Sequence, residues 1–189
     1  TDKEKQTLDT LEDGIKELIN ISFIAVKSQD AIIQYLEKNL KVLLDELRIE
    51  LSKDSYLKIM YYIYREFVGL NNIEPFLNDY FIEDIECNGV NFPIYIVHRK
   101  YRNLRTNITY IDLEKLTSFV EKLAQKSGQY ISYANPLLDA ALPDGSRVNA
   151  TFTSDISSRG PTFTIRKFTK IPWTPIKLLQ NKTATPQIF

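Results

Sequence analysis

The residues best suited to chemistry are two arginines, Arg147 and Arg166, which stand in two short alternating runs. Apolar side chains occupy every second position of each run, which predicts two strands with one buried face. If residues 154–161 connect them, the strands pair antiparallel and the arginines share the polar face, roughly 5–8 Å apart. Guanidinium groups held that close repel each other and favour a bound anion. The alternative is two surface charges on a half-buried sheet, the commoner fate of strand arginines.

The rest of the chain offers little with which to catalyse a reaction. Its six glycines are never closer than fifteen residues apart, which excludes a glycine-rich loop around a phosphate. His98 and Cys87 are the single histidine and cysteine, so a disulfide and a structural zinc site are implausible. A Ser-His-Asp set is not credible either, because His98 lies beside a basic turn with no motif around it. Glu83, Asp84 and Glu86 crowd one predicted strand, and we interpret them as solvated. We therefore expect no catalytic residue and no metal site.

Composition and charge describe a globular chain with two electrically different halves. Hydrophobic residues make up 43% of the 189, and no apolar run reaches the roughly 18 residues that span a bilayer. Residues 1–86 hold 18 acidic and 10 basic side chains (−8), whereas residues 87–189 hold 6 and 14 (+8). The basic half suits an anion or an acidic neighbour. The chain starts without Met and ends in a pattern typical of a turn into a further helix, which suggests a piece of a longer protein.

Apolar spacings of three and four predict three helices before residue 70: at 2–20, at 30–51, and from a cap at Ser52 or Asp54 to Gly69. The second stripe comprises Ile33, Leu36, Leu40, Leu43, Leu47 and Leu51, and the third comprises Leu57, Met60, Tyr61, Tyr64, Phe67 and Val68. Such stripes predict the core of a small bundle, and a coiled-coil or partner-binding face is the alternative.

The period changes near residue 71. A short helix at 71–79 precedes strands at 82–87, 94–98 and 106–110, a helix at 113–127 capped by Asp112, and three short strands within 137–168. Residues 71–168 therefore predict an antiparallel sheet with a packed helix, an α+β fold.

Basic residues interleave with an aromatic ring between the second and third predicted strands, at Arg99–Arg105 around Tyr101. This combination can bind single-stranded nucleic acid. A solvated hairpin tip explains it better, because the run is short and no basic face matches it. We expect no nucleic-acid partner.

Several phrases, taken together and in order, resemble one family. They are IEDIECNG (82–89), PIYIVHR (93–99), LAQKSG (123–128), PLLDAALPDGSRVNAT (136–151) and TFTIRKF (162–168), followed by P-x-T-P (172–175). Over about residues 70–180 the chain resembles the amino-terminal domain of the type II/type IV secretion ATPase superfamily, and it looks most like the archaeal members. Members power secretion systems, type IV pilus assembly and the archaellum. Residues 1–70 match less distinctly, as a helical extension that varies within the family.

The resemblance implies a two-domain protomer in a hexameric ring, with ATP in the cleft between this PAS-like α/β sandwich and a carboxy-terminal ATPase domain that holds the Walker motifs and Mg. By motif, Arg147 and Arg166 reach the nucleotide phosphates. Asp144 and Gly145 shape the turn that presents Arg147. Lys167 is a weaker candidate, because it should point away from Arg166.

The domain organisation expected from this resemblance is a helical extension at 1–70, the α+β domain at 71–168, and at 169–189 a linker leading into the ATPase domain. Pro172, Trp173 and Pro175 would form the hinge. The expected partners are the chain's own ATPase domain, neighbouring protomers and a membrane platform protein, at the cytoplasmic face of the cell membrane. This stretch alone should be inactive. The alternative is a protein-interaction module whose helices 1–70 anchor the motor.

Overall fold

The computed structural model describes residues 2–18, 29–153, 156–168, 174–183 and 185. The chain divides into two compact units, Thr1–Asn78 and Asp79–Phe189. The first is helical and the second is built on a sheet, so the predicted α+β class is confirmed. Among the described residues, no helix has the length and apolarity needed to cross a membrane.

The helical unit contains α1 (Asp2–Leu18), α2 (Gln29–Glu46), α3 (Lys53–Phe67), a 3-10 turn (Asn71–Ile73) and the short α4 (Glu74–Asn78). Buried side chains from the three long helices form its core: Leu11, Ile15, Ile32, Leu36, Leu40, Leu43, Ile59 and Ile63. Of the two candidate caps, Ser52 begins α3, because its Oγ accepts from the Ser55 N–H at 3.2 Å.

Two of the predicted stripes were partly wrong. Helix α2 ends at Glu46, and Arg48 beyond it has a left-handed φ of 51°. Ile32 takes the core position that the pattern assigned to Ile33, which is exposed. In α3 the core positions are Ile59 and Ile63, and the predicted Leu57 and Tyr61 face solvent.

The second unit contains β1 (Ile82–Cys87), β2 (Pro93–His98), β3 (Arg102–Thr109), α5 (Leu113–Lys126), β4 (Leu137–Ala141), β5 (Arg147–Thr151), β6 (Thr162–Arg166) and α6 (Pro175–Gln180). The six strands form one sheet in the order β3-β2-β1-β6-β5-β4, and every neighbouring pair is antiparallel. The last strand, β6, lies at the centre and joins the hairpin of β4 and β5 to β1. Strand β3 begins earlier than predicted, because its pairing with β2 starts at His98 opposite Arg102.

One face of this sheet is covered by α5. Asp112 caps that helix by accepting from the Glu114 N–H at 2.9 Å, as predicted. Phe119 from α5 packs on Phe163 of β6 with ring centroids 5.1 Å apart. In the strands, Ile85, Ile165 and Val148 lie directly opposite one another across β1, β6 and β5, and all three are fully buried. Because successive residues of a strand face opposite sides of the sheet, the residues directly before and after Ile85, Ile165 and Val148 lie on the other face.

Candidate functional site

Three neighbouring strands place an acid and two arginines in one row on the face opposite α5. Arg147 of β5 lies directly opposite Arg166 of β6, and Arg166 lies directly opposite Asp84 of β1. Both arginines are exposed, whereas the residues beside them in sequence, Val148 and Ile165, are buried. The predicted pairing of these strands and their shared arginine face therefore agree with the structure. Directly opposite residues have Cβ atoms about 4.5–5.5 Å apart.

The central arginine of this row is held by the acid. Arg166 Nε donates to Asp84 Oδ1 at 3.0 Å, and this hydrogen bond, with the Asp84 charge, raises the pKa of Arg166. The Arg166 side chain is 76% exposed and the Asp84 side chain only 18% exposed. The interpretation of Asp84 as a solvated acid was wrong, since its side chain is largely buried and accepts a hydrogen bond from Arg166. Because the Arg166 side chain is mostly exposed, water or another anion can reach its guanidinium group.

Arg147 stands in a different electrostatic situation. Within the described part of the chain, its guanidinium has no acidic partner, although Arg166 is its direct cross-strand neighbour. Like charges directly opposite each other destabilise a strand pair. The row of Asp84, Arg166 and Arg147 therefore has a net charge of +1.

The turn before Arg147 is fixed by a compact set of hydrogen bonds. The Asp144 carboxylate accepts from Ser146 N at 3.0 Å and from Ser146 Oγ at 2.7 Å. Gly145 has a φ of +86°, which a glycine adopts without strain, and its N–H donates to the Leu142 carbonyl. Ser146 Oγ also accepts from Phe168 N at 3.0 Å, so the chain leaving β6 is tied to the turn that carries Arg147.

Lys167 makes hydrogen bonds to the backbone on the amino-terminal side of β1. Its N–H donates to the Glu83 carbonyl at 2.8 Å, and its Nζ donates to the Asp79 carbonyl. The predicted hinge residues Pro172 and Trp173 lie outside the described residues. Pro175 is the first residue of α6, which Thr174 caps by accepting from Lys177 N at 3.3 Å.

The basic segment Arg99–Arg105 is divided between a turn and a strand, because Arg102 and Arg105 belong to β3. Arg99 pairs with Glu83 at 3.3 Å and lies 4.3 Å above the Tyr80 ring. His98 accepts from Lys100 N at 3.0 Å through Nδ1, and its ring stacks on Phe81. The histidine thus shapes the hairpin.

The described residues contain no group of three or more His, Cys, Asp or Glu side chains that could hold a metal ion. Cys87 is buried, and burial raises the pKa of its thiol. A neutral, buried thiol is a poor nucleophile. The row of Asp84, Arg166 and Arg147 can bind an anion through its two guanidinium groups.

Sequence reasoning overlooked Ser146 in this site and misjudged Asp84, which it named only as a solvated acid. A signal for Ser146 was present, since Asp-Gly-Ser after a proline is typical of a turn closed by an Asp side chain. No local signal marked Asp84, because its partner is on a strand 82 residues away in sequence.

No protein-family profile matches the chain. Three uncharacterized proteins of Methanocaldococcus jannaschii are similar in sequence. MJ1288 is 41% identical over 65% of this chain and 49% of its own length. MJ0900 is 36% identical over 75% of this chain and 25% of its own length. MJ0781 is 42% identical over 69% of this chain and 17% of its own length. The chain therefore spans about half or less of the length of these relatives.

A similar solved structure is that of the VirB11 ATPase from the Brucella suis type IV secretion system, in complex with sulphate. The TM-score is 0.49 at 23% sequence identity, over 59% of this chain and 32% of that chain.

Proposed function

We propose that the chain is the amino-terminal domain of a hexameric secretion or pilus-assembly ATPase, in which Arg147 and Arg166 contact the phosphates of ATP. The observation that carries the proposal is the direct cross-strand pairing of two exposed arginines. The motifs LPDGSR and TFTIRKF, through which the chain resembles that superfamily, contain these same two residues. The strand register and the resemblance to that superfamily therefore both select Arg147 and Arg166.

Anion binding follows from the physics of the pair. Two neighbouring guanidinium groups repel each other, and a polyanion placed between them replaces that repulsion with attraction. Arginine donors match the geometry of phosphate oxygens and bind them in a bidentate manner. The site contributes positive charge and orientation, whereas Mg and the Walker motifs would come from a carboxy-terminal ATPase domain.

Nucleotide binding would be coupled to movement through the linker that follows β6. Phe168 N donates to Ser146 Oγ, and Ser146 directly precedes Arg147 in sequence. A shift of Arg147 toward a phosphate would therefore be transmitted through Ser146 to Phe168, where the chain leaves the sheet. Residues 169–175, with Pro172, Trp173 and Pro175, would act as the pivot, and the assembly would work at the cytoplasmic face of the cell membrane.

The test uses the full-length gene product with Arg147→Ala, Arg166→Ala and a control, Arg105→Ala. Arg105 is an exposed arginine of the same sheet, opposite Tyr95 and outside the arginine row. We expect ATP turnover to fall about 10- to 100-fold in the first two variants, as for the loss of a hydrogen bond to a charged group. The control should stay within about twofold. Wild-type turnover in both row variants, with normal melting curves, would refute the proposal.

A second candidate function is a protein-interaction module in the helical unit. Leu57 and Tyr61 lie on one side of α3, four residues apart, and both are exposed instead of joining the core. The amino-terminal half is also acidic, which suits a basic partner such as a membrane platform protein. Replacing Leu57 and Tyr61 by Ser should abolish recruitment to membranes and preserve turnover. Retained recruitment would rule out this surface.

A further inference from the structure

We propose that Asp84 is an internal counter-ion that competes with the phosphate for Arg166, so that the anion must displace Asp84 to engage both arginines. This inference rests on the proposed function and adds the regulation of the same site. The order of the row is the starting point: Asp84, Arg166 and Arg147 lie on three consecutive strands, with Arg166 in the middle.

The two partners of the ion pair differ in freedom. Asp84 is largely covered and lies on a strand paired on both sides, to β2 at Val97 and to β6 at Arg166. Arg166 is mostly exposed and is the last residue of β6. The carboxylate is therefore the fixed member of the pair, and the guanidinium can move. A guanidinium has five N–H donors, and the contact at 3.0 Å uses Nε.

The Asp84 contact draws Arg166 toward β1, away from Arg147 on the other side of β6. This lowers the repulsion between the two arginines while the site holds no anion. An anion that bridges both arginines needs Arg166 on the β5 side, so its binding competes with Asp84. When the anion leaves, Asp84 again accepts Arg166. The acid would thus weaken anion binding and return the site to its resting state.

Glu86 provides a matched control for the charge of Asp84. It lies on the same strand two residues later, so it shares the face, and it is also half-buried. Its neighbour in β6 is Thr164, not an arginine. Asp84→Asn and Glu86→Gln therefore remove the same charge from the same strand, and only Asp84→Asn releases Arg166.

The experiment is an NMR titration of the chain with inorganic tripolyphosphate, following the arginine Nε–H signals and the Asp84 side-chain carboxyl signal. In the wild type, saturation should move the signals of Arg147, Arg166 and Asp84 together, because the exchange involves all three. Asp84→Asn should tighten binding about fivefold, and Glu86→Gln should change it less than twofold. The Arg166 Nε–H should also exchange faster with water in Asp84→Asn than in Glu86→Gln.

The outcomes separate this inference from the proposed function. Equal tightening in both variants would mean that Asp84 acts through net charge alone, which overturns the inference and preserves the phosphate site. The inference is likewise overturned, and the phosphate site preserved, if tripolyphosphate moves both arginine signals of the wild type and leaves the Asp84 carboxyl signal unchanged. This second result is obtained on the wild type alone, so it does not depend on the folding of a variant. If neither arginine signal moves in the wild type or in either variant, the phosphate site itself is refuted.

Discussion

Replacing Ser146 by Ala tests whether the Ser146 hydroxyl stabilises the turn before Arg147. The side chain is 1% exposed, and its Oγ makes two hydrogen bonds: it donates to Asp144 Oδ2 at 2.7 Å and accepts from Phe168 N at 3.0 Å. The variant removes both bonds and adds no bulk. It leaves the partly buried Phe168 N–H without its acceptor, and water can replace that acceptor only incompletely.

The expected cost follows from these two bonds. An N–H that loses its partner in a partly buried site costs about 1–3 kcal/mol, whereas Asp144 is exposed and recovers its lost bond from water. We therefore expect the sheet unit to lose about 2 kcal/mol of unfolding free energy. For a unit of this size the loss corresponds to a melting temperature lower by about 6–10 °C.

Two measurements check this expectation, a calorimetric melt and the hydrogen-exchange rate of the Phe168 amide. The matched control is Ser118→Ala, a serine on the exposed side of α5, which should change stability by less than about 0.5 kcal/mol. A Ser146→Ala protein with wild-type stability and wild-type protection of the Phe168 amide would show that the Ser146 hydroxyl does not hold Phe168. Destabilisation with unchanged Phe168 protection would show that the serine acts only within its own turn.

Three further predictions concern buried and half-buried side chains. Cys87 should resist a thiol reagent in the native protein at pH 8 and react only on unfolding, because burial raises its pKa and covers it; labelling at the rate of a free thiol would contradict this. Phe163→Ala should cost about 3–5 kcal/mol in urea unfolding, since the ring is 1% exposed and packs on Phe119; a loss below about 1 kcal/mol would contradict the packing. Burial, followed by the charge of Glu66, raises the pKa of Glu12, so the folded unit binds that proton more tightly than the unfolded chain. Glu12→Gln should therefore be more stable than wild type at pH 7. The difference in unfolding free energy should narrow as the pH falls through the raised pKa of Glu12, and a difference independent of pH would contradict this prediction.

The sequence predicted the arginine strands well because both signals there are local. Alternation fixes which side chains share a face, and the turn residues at 143–145 fix where β5 begins. Once Val148 and Ile165 must be buried on one face, Arg147 and Arg166 have to emerge on the other.

The partner of Arg166 could not be predicted in this way. Strand β6 forms its second pairing with β1, and the order of strands in a sheet is decided by long-range packing, which no local pattern encodes. The same limit explains the error in α2, where Ile32 and Ile33 are both apolar and only the packing of the bundle selects Ile32. The roles of Asp84 and Ile32 were missed for one reason, namely that they depend on distant parts of the chain.

A crystal structure of the full-length gene product with a non-hydrolysable ATP analogue would show directly whether the two arginines hold the phosphates. The guanidinium groups of Arg147 and Arg166 should both lie within about 3 Å of phosphate oxygens, with Arg166 withdrawn from Asp84. A bound nucleotide whose phosphates touch neither arginine, while Arg166 keeps its contact with Asp84, would contradict the proposed phosphate site.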